Sequence, residues 1–251
     1  VRFDGRNPRA ERYLAERSSG LIVEILEDTR DGIRAWIANG MVDGRNPRNT
    51  ALDIVGRINR ATGRREGGIV GLTSQQMGYV ANMRADLADP ERMAGYFDRA
   101  RRDKRFDGLV RRAMRDGKPL AQADIDRIAA RYSDRLLSLR GETIARTESM
   151  TALNEARYEA VQQQIDAGNL APGQVEWQWQ ANLDGRVRDS HSAMHMQTVR
   201  HGDAFVSPVT GARMRYPMDR ALGAGAGDII NCRCILAPKI DYLAGLSRRV
   251  A

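Results

Sequence analysis

The chain has 251 residues, of which 42% are hydrophobic, 29% charged and 6% aromatic, a globular composition that excludes wholesale disorder and allows one large domain or two smaller ones. With aromatics scarce, the core must be built from Leu, Ile, Val, Ala and the ten Met, which suits packed helices better than a β-sandwich. The formal charge of +8 is uneven, with 28 Lys and Arg against 20 Asp and Glu in residues 1–140 and 12 against 12 in residues 141–251.

Residues 10–38 carry apolar side chains at helical spacing (Leu14, Leu21, Ile25, Ile33, Trp36 or Ile37), which predicts a helix ending at Asn39-Gly40. Its Leu21 to Leu26 cluster is interrupted by Glu24, and no run approaches the roughly 20 apolar residues that cross a bilayer. Val1 to Arg12 contains no apolar stretch of the secretory kind, so a soluble chain is expected. After the turn-rich Met41 to Asn49, a short helix is predicted with Leu52, Val55 and Ile58 on one side, followed by the breaker-rich Thr62 to Gly71. Thr73 and Gln76 have the spacing of a capping box before Met77, Val80, Met83 and Leu87, and that helix should stop at Asp89-Pro90.

The next segment, with Met93, Phe97, Leu109, Val110 and Met114, ends at Gly117-Lys118-Pro119. Residues 92–118 hold ten basic and four acidic side chains, and Arg101, Arg102, Arg105, Arg111, Arg112 and Arg115 are candidate contacts to DNA phosphates. The competing reading is a solvated helix face in an Arg-rich chain, since only three of the 40 basic residues are Lys. From Ala123 the periodic positions Ile125, Ile128, Tyr132, Leu136 and Leu139 run on through Ile144, Tyr158 and Ile165. They predict one long helix, or two joined near Gly141, ending at Gly168.

Beyond Gly168 the texture changes. Val175, Trp177 and Trp179 alternate with Glu176 and Gln178, as in a strand with a face of large rings. Core packing explains those rings better than a base-stacking platform, because no basic residues flank them. Short turns follow, and a last strand is expected around Cys232 to Ala237. The fold class is therefore α+β: a helical, basic region over residues 1–140, then a small mixed unit with short strands and long loops over residues 141–251. The loop Gly223 to Gly227 lacks the Lys-Ser/Thr of a phosphate loop and precedes Asp228.

Three pieces in the second half stand in a set order. They are Ile144-Ala145-Arg146-Thr147-Glu148, continuing through Asn154; Trp177 followed by Asp184-Gly185-Arg186-Val187-Arg188-Asp189-Ser190-His191; and Tyr216-Pro217-Met218-Asp219 leading to Asn231-Cys232-Arg233-Cys234. Together they resemble the phage Mu F-like head morphogenesis family, clearly over residues 140–238 and only as a general likeness of helices over residues 72–139. The chain departs from the family pattern at Met194-His195-Met196, where Leu-Asp-Gly or Met-Asn-Gly is common, and at Met218, where glycine is usual between Pro217 and Asp219. The resemblance implies a minor head protein of a tailed phage, a non-catalytic virion component assembled in the bacterial host cytoplasm, with the portal or major capsid protein as partner. Non-specific contact with packaged double-stranded DNA would fall to the basic first part.

Arg146 and Glu148 lie two apart on a helix and cannot pair with each other. Arg146, Glu148, Asp184, Arg186, Arg188, His191 and Asn231 are expected to form a buried or half-buried polar network that pins loops to the helix. All the His and Cys of the chain (His191, His195, His201, Cys232 and Cys234) fall within 44 residues. Convergence of His191, Cys232 and Cys234 is expected, either as a structural zinc site or as a hydrogen-bonded cluster of imidazole and small buried thiols. Cys-x-Cys is not the usual zinc-knuckle spacing, and it disfavours a disulfide because the ring would be strained. His191 and His195 are four apart, but the intervening Ser192 denies them the Glu of a metalloprotease helix. No nucleophile with an acid/base partner is nominated, so no catalytic residue is assigned. Two alternatives stay open: an enzyme of ADP-ribosyltransferase-like or toxin type, and a general DNA-binding protein.

Overall fold

A computed structural model describes residues 29, 31–33, 35–63 and 65–244. They form two compact units, one up to Glu142 and the other from Thr143. Most of the helix expected over residues 10–38 lies outside the described residues. Residues 35–42 are helical, so this helix runs past Asn39-Gly40.

In the first unit, α1 spans Pro47–Val55, with Pro47 in the first turn and the Asn46 side chain accepting from the Arg48 N–H. It buries Ala51, Ile54 and Val55. Ile58, expected on the same helical face, instead lies in β1 (Arg57–Ile58), which pairs antiparallel with β2 (Arg65–Glu66). The helix ends at Gly56, whose φ of 84° turns the chain into this hairpin. α2 (Ser74–Ala88) starts with the Thr73/Gln76 capping box, with both reciprocal hydrogen bonds made. Two 3₁₀ turns, Met93–Tyr96 and Lys104–Phe106, precede α3 (Asp107–Arg115). α3 closes with a Schellman pair, Gly117 N–H to the Met114 carbonyl and Lys118 N–H to the Ala113 carbonyl.

α4 is one continuous helix, Gln122–Asp166. A second Schellman pair ends it, Gly168 N–H to the Ile165 carbonyl and Asn169 N–H to the Gln164 carbonyl. Its first part buries Ile125, Ile128, Tyr132 and Leu136 against Met83 and Leu87 of α2, Met93, Tyr96 and Val110. Gly141 does not break it. A Cβ there would stand 2.6 Å from Val55 Cγ1 and 3.0 Å from the Ala51 carbonyl oxygen, so glycine permits the close approach of α1 to α4. Among the described residues no helix is long and apolar enough to cross a membrane.

In the second unit, β3 (Val175–Gln180) is the middle strand of a three-stranded antiparallel sheet, between β4 (Thr198–Arg200) and β7 (Ile235–Ile240). β5 (Phe205–Val206) and β6 (Arg213–Met214) form a separate hairpin. Single-turn helices α5 (Asp189–Ser192) and α6 (Ala226–Ile229) lie in the connections. Trp177 and Trp179 are fully buried. They belong to one core with Tyr158 and Val161 of α4, Phe205, Met194, Met214, Met218 and Leu236, and Tyr158 stacks on Trp177 with ring centroids 5.5 Å apart. Gln178 is buried too, so the alternation of β3 is incomplete. The last strand begins at Ile235, not Cys232, because Asn231 takes a left-handed φ of 57° and the Cys232 N–H turns back to the Ile229 carbonyl.

Two pairs of variants probe these backbone positions. Gly141→Leu should destabilise by about 1–3 kcal/mol through overpacking. Gly78→Ala, in α2 where an added Cβ meets nothing within 4 Å, should stabilise by about 0.5–1 kcal/mol. Thermal melts of the two variants moving in the same direction would overturn the assignment. Met196 and Met218 have φ of 66° and 76°, the region that favours glycine. Met196→Gly, at a half-exposed site (54%), should be neutral or stabilising by up to about 1 kcal/mol. Met218→Gly, which empties a fully buried position, should lower the melting temperature.

Candidate functional site

His191 sits in the single turn of α5, its N–H bonded to the Arg188 carbonyl at 3.0 Å. Cys232 and Cys234 come from the segment between α6 and β7. That segment is fixed by the Asn231 N–H donating to Thr147 Oγ1 (3.0 Å), by Arg146 Nη1 donating to Asn231 Oδ1 (3.3 Å) and by Arg188 donating to the Ile230 carbonyl. The result is a convergence of all three side chains. His191 Nδ1 stands 3.4 Å from Cys232 Sγ and 3.4 Å from Cys234 Sγ, and each residue is 2% exposed. The Cys234 N–H also points to Cys232 Sγ at 3.4 Å. Both cysteines are free thiols.

The two thiols titrate as a pair. A hydrogen bond from Cys232 holds Cys234 down, to about 5, against the opposing effect of burial and with help from His191. The same hydrogen bond, with burial and the charge on Cys234, drives Cys232 far above the ordinary thiol range. One proton therefore leaves readily and the second does not. His191 Nε2, on the other side of the ring, is buried with no hydrogen-bond partner among the described residues, and the ring packs edge-on against Trp179 at 5.7 Å.

The seven expected polar residues do not close into one connected network. Arg146 meets Asn231, as above, but Glu148 pairs with Arg220 (3.7 Å), and Asp184 forms a two-pronged pair with Arg233 (2.5 and 2.6 Å). Asp184 also accepts from the Arg186 N–H at 3.0 Å, and Arg233 keeps its carboxyl down at about 2. Arg146, Asp184 and Arg186 are exposed, Glu148, Arg188 and Asn231 are half-buried and His191 is buried, so these residues act as separate clasps at different depths.

The buried clamp is Asn154 on α4, fully enclosed. Its Nδ2 donates to the Cys234 carbonyl (3.1 Å) and the Pro217 carbonyl (3.4 Å), and its Oδ1 accepts from the Leu236 N–H (2.9 Å). An Asn among helix formers, where it is intrinsically unfavourable, was the available signal for this role. Asp219 is the second clamp, accepting from the N–H groups of Arg215 (3.2 Å) and Ala221 (2.9 Å) and from Arg215 Nε (2.7 Å). The remaining histidines are engaged elsewhere. His195 Nδ1 accepts from the Ala181 N–H, and His201 lies between Trp177 Nε1 and Gln162 Oε1. α5 ends at Ser192, so His191 and His195 do not share a helix face.

Of the candidate DNA contacts, Arg102 is turned inward, 17% exposed, held by Asp107 and stacked near Phe97. Arg105 is anchored to the buried Asp103 at 2.6 Å. Arg101 and Arg112 are exposed, as are Arg111 and Arg115 beside Asp107 and Asp116.

Asp219 gives a pH prediction. Burial pushes its carboxyl up, yet the hydrogen bonds from Arg215 and Ala221 outweigh that and leave it below the ordinary range. The unfolded chain therefore takes up this proton first. The stabilisation is complete above about pH 4 and is lost as pH falls through the lower folded value. Denaturant melts across pH should show a shallower acid limb for Asp219→Asn than for the unaltered chain, and parallel limbs would refute the assignment.

No curated protein and no solved structure matches the chain. The family model described as phage Mu protein F like protein matches residues 106–237, taking in α3, α4, His191 and both cysteines. That span is more than half of the 251 residues, and the chain belongs to this phage head morphogenesis family.

Proposed function

We propose that this protein is a minor structural component of a tailed-phage head, built in the host cytoplasm, that assembles with the portal or the inner capsid and contacts packaged double-stranded DNA without sequence preference. Family membership over residues 106–237 is the observation that carries the reading. The buried and half-buried polar groups described above add to it, because Asn154 and Asp219, which are buried, and His195 and His201, which are half-buried, are each committed to holding backbone or a neighbouring ring. The DNA contact rests on the charge excess of the first unit, and the arginines suited to it are Arg101, Arg111, Arg112 and Arg115. Arg102 is occupied by Asp107 and Arg105 by Asp103, and both are left out.

Mass spectrometry of purified procapsids and mature heads should find the chain in substoichiometric amount relative to the major capsid protein. Its absence from both particles would sink the reading. For the DNA contact, the full chain should bind duplexes of unrelated sequence equally. Replacing those four arginines with Gln should flatten the dependence of log affinity on log salt by about 0.9 for each phosphate that is no longer neutralised. Binding unchanged in the quadruple variant would move the DNA-binding surface elsewhere.

A further inference from the structure

We propose that His191, Cys232 and Cys234 hold one zinc ion, with a water molecule as the fourth ligand. The three donor atoms all lie within 4.8 Å of one another and come from fully buried side chains. In a tetrahedral site with Zn–S near 2.3 Å and Zn–N near 2.0–2.1 Å, each nitrogen-to-sulfur edge is about 3.5 Å long. His191 Nδ1 stands 3.4 Å from both sulfurs, the spacing that the two nitrogen-to-sulfur edges of such a tetrahedron require, and the two sulfurs lie within 4.8 Å of each other.

Hydrogen bonding alone explains this arrangement less well. In a neutral imidazole, Nδ1 carries either one proton or one lone pair, so it makes one good bond to a thiol and not two. A metal at the centre of the three uses the single lone pair of Nδ1 and one lone pair from each sulfur, and leaves the ring proton on Nε2.

Charge points the same way. Two thiolates and a neutral imidazole around a divalent ion make a centre with no net charge, which tolerates burial. Soft sulfur with imidazole is the donor set that selects zinc over the hard cations. A cavity of about 20 Å³ adjoins the donors, lined in part by Asn182, Arg188 and Asn231. It has polar walls and room for one water. The ion would tie the loop after β3 to the entrance of β7, where a metal staple contributes directly to folding.

The test uses the full chain, purified under reducing conditions without chelator. Elemental analysis should find one zinc per chain, and His191→Asn, Cys232→Ser and Cys234→Ser should each lose most of it. If those variants fail to fold, the unaltered chain still decides. Stripped of zinc and titrated with Co(II), it should develop the intense visible bands of tetrahedral cobalt together with a sulfur-to-cobalt charge-transfer band, and re-addition of zinc should abolish both. A chelator should lower its melting temperature. A zinc-free protein that stays spectroscopically silent with Co(II) overturns the proposal. So do cobalt bands without the sulfur component, and zinc retained by folded variants lacking the ligands.

Discussion

The second unit depends on how one polar side chain, Asn154, meets the backbone groups that a three-stranded sheet cannot satisfy by itself. Inserting α4 against the Trp177 and Trp179 face strips water from the chain where it enters β7 and where it turns at Pro217, and an amide or carbonyl left unpaired there costs about 1–3 kcal/mol. Asn154 answers the Cys234 carbonyl, the Leu236 N–H and the Pro217 carbonyl at once. A hydrophobic residue of the same size would pack but leave all three open. The position of Cys234 follows from this contact through its carbonyl, and that of Cys232 from the turn that Thr147 holds at Asn231.

Features decided by a few neighbouring residues could be read in the sequence. The capping box at Thr73, the stop at Asp89-Pro90 and the end of α4 at Gly168 each rest on contacts within one turn. Continuity through Gly141 was less legible, because an isolated helical glycine signals either a break or a close approach, and only the position of Val55 distinguishes them. Ile58 fits the periodicity of α1, yet Gly56 had already reversed the chain. Partner choice among the charged residues was the least legible. Arg146, Arg186, Arg188, Arg220 and Arg233 offer the same chemistry to Asp184 and Glu148, and the tertiary path alone assigns Arg233 to one and Arg220 to the other.

The same limit applies to net charge as a guide to partners. In the stretch with ten basic residues, Asp103 and Asp107 are buried and serve as anchors, Asp103 for Arg105 and Arg135, Asp107 for Arg102. Arg102 also covers the rings of Tyr96 and Phe97, using its apolar stem and planar head as packing material. Counting charges treats these groups as free, although Arg102, Arg105 and Arg135 are each tied to a buried aspartate. A surface that tracks phosphates must be assembled from the arginines left over, and it is smaller than the composition suggests.

Two methionines held at left-handed backbone positions, Met196 and Met218, show how a fold accommodates a residue that the local conformation disfavours. A side chain at φ near 70° costs about 1–2 kcal/mol against the right-handed region. At Met218 that cost is offset, because the side chain is fully buried with Trp177, Phe205 and Met214 in the core, and burying a methionine contributes about 1.5–3 kcal/mol. Met196 has no such offset, being half-exposed, but its N–H bonds to the Trp179 carbonyl at 2.8 Å. The preceding Met194 and His195 are held by the core and by Ala181. The turn is therefore imposed from both sides, whichever residue occupies it. Backbone geometry here follows from the sheet and its clamps, and the identity of the residue sets only how much stability is given up to maintain it.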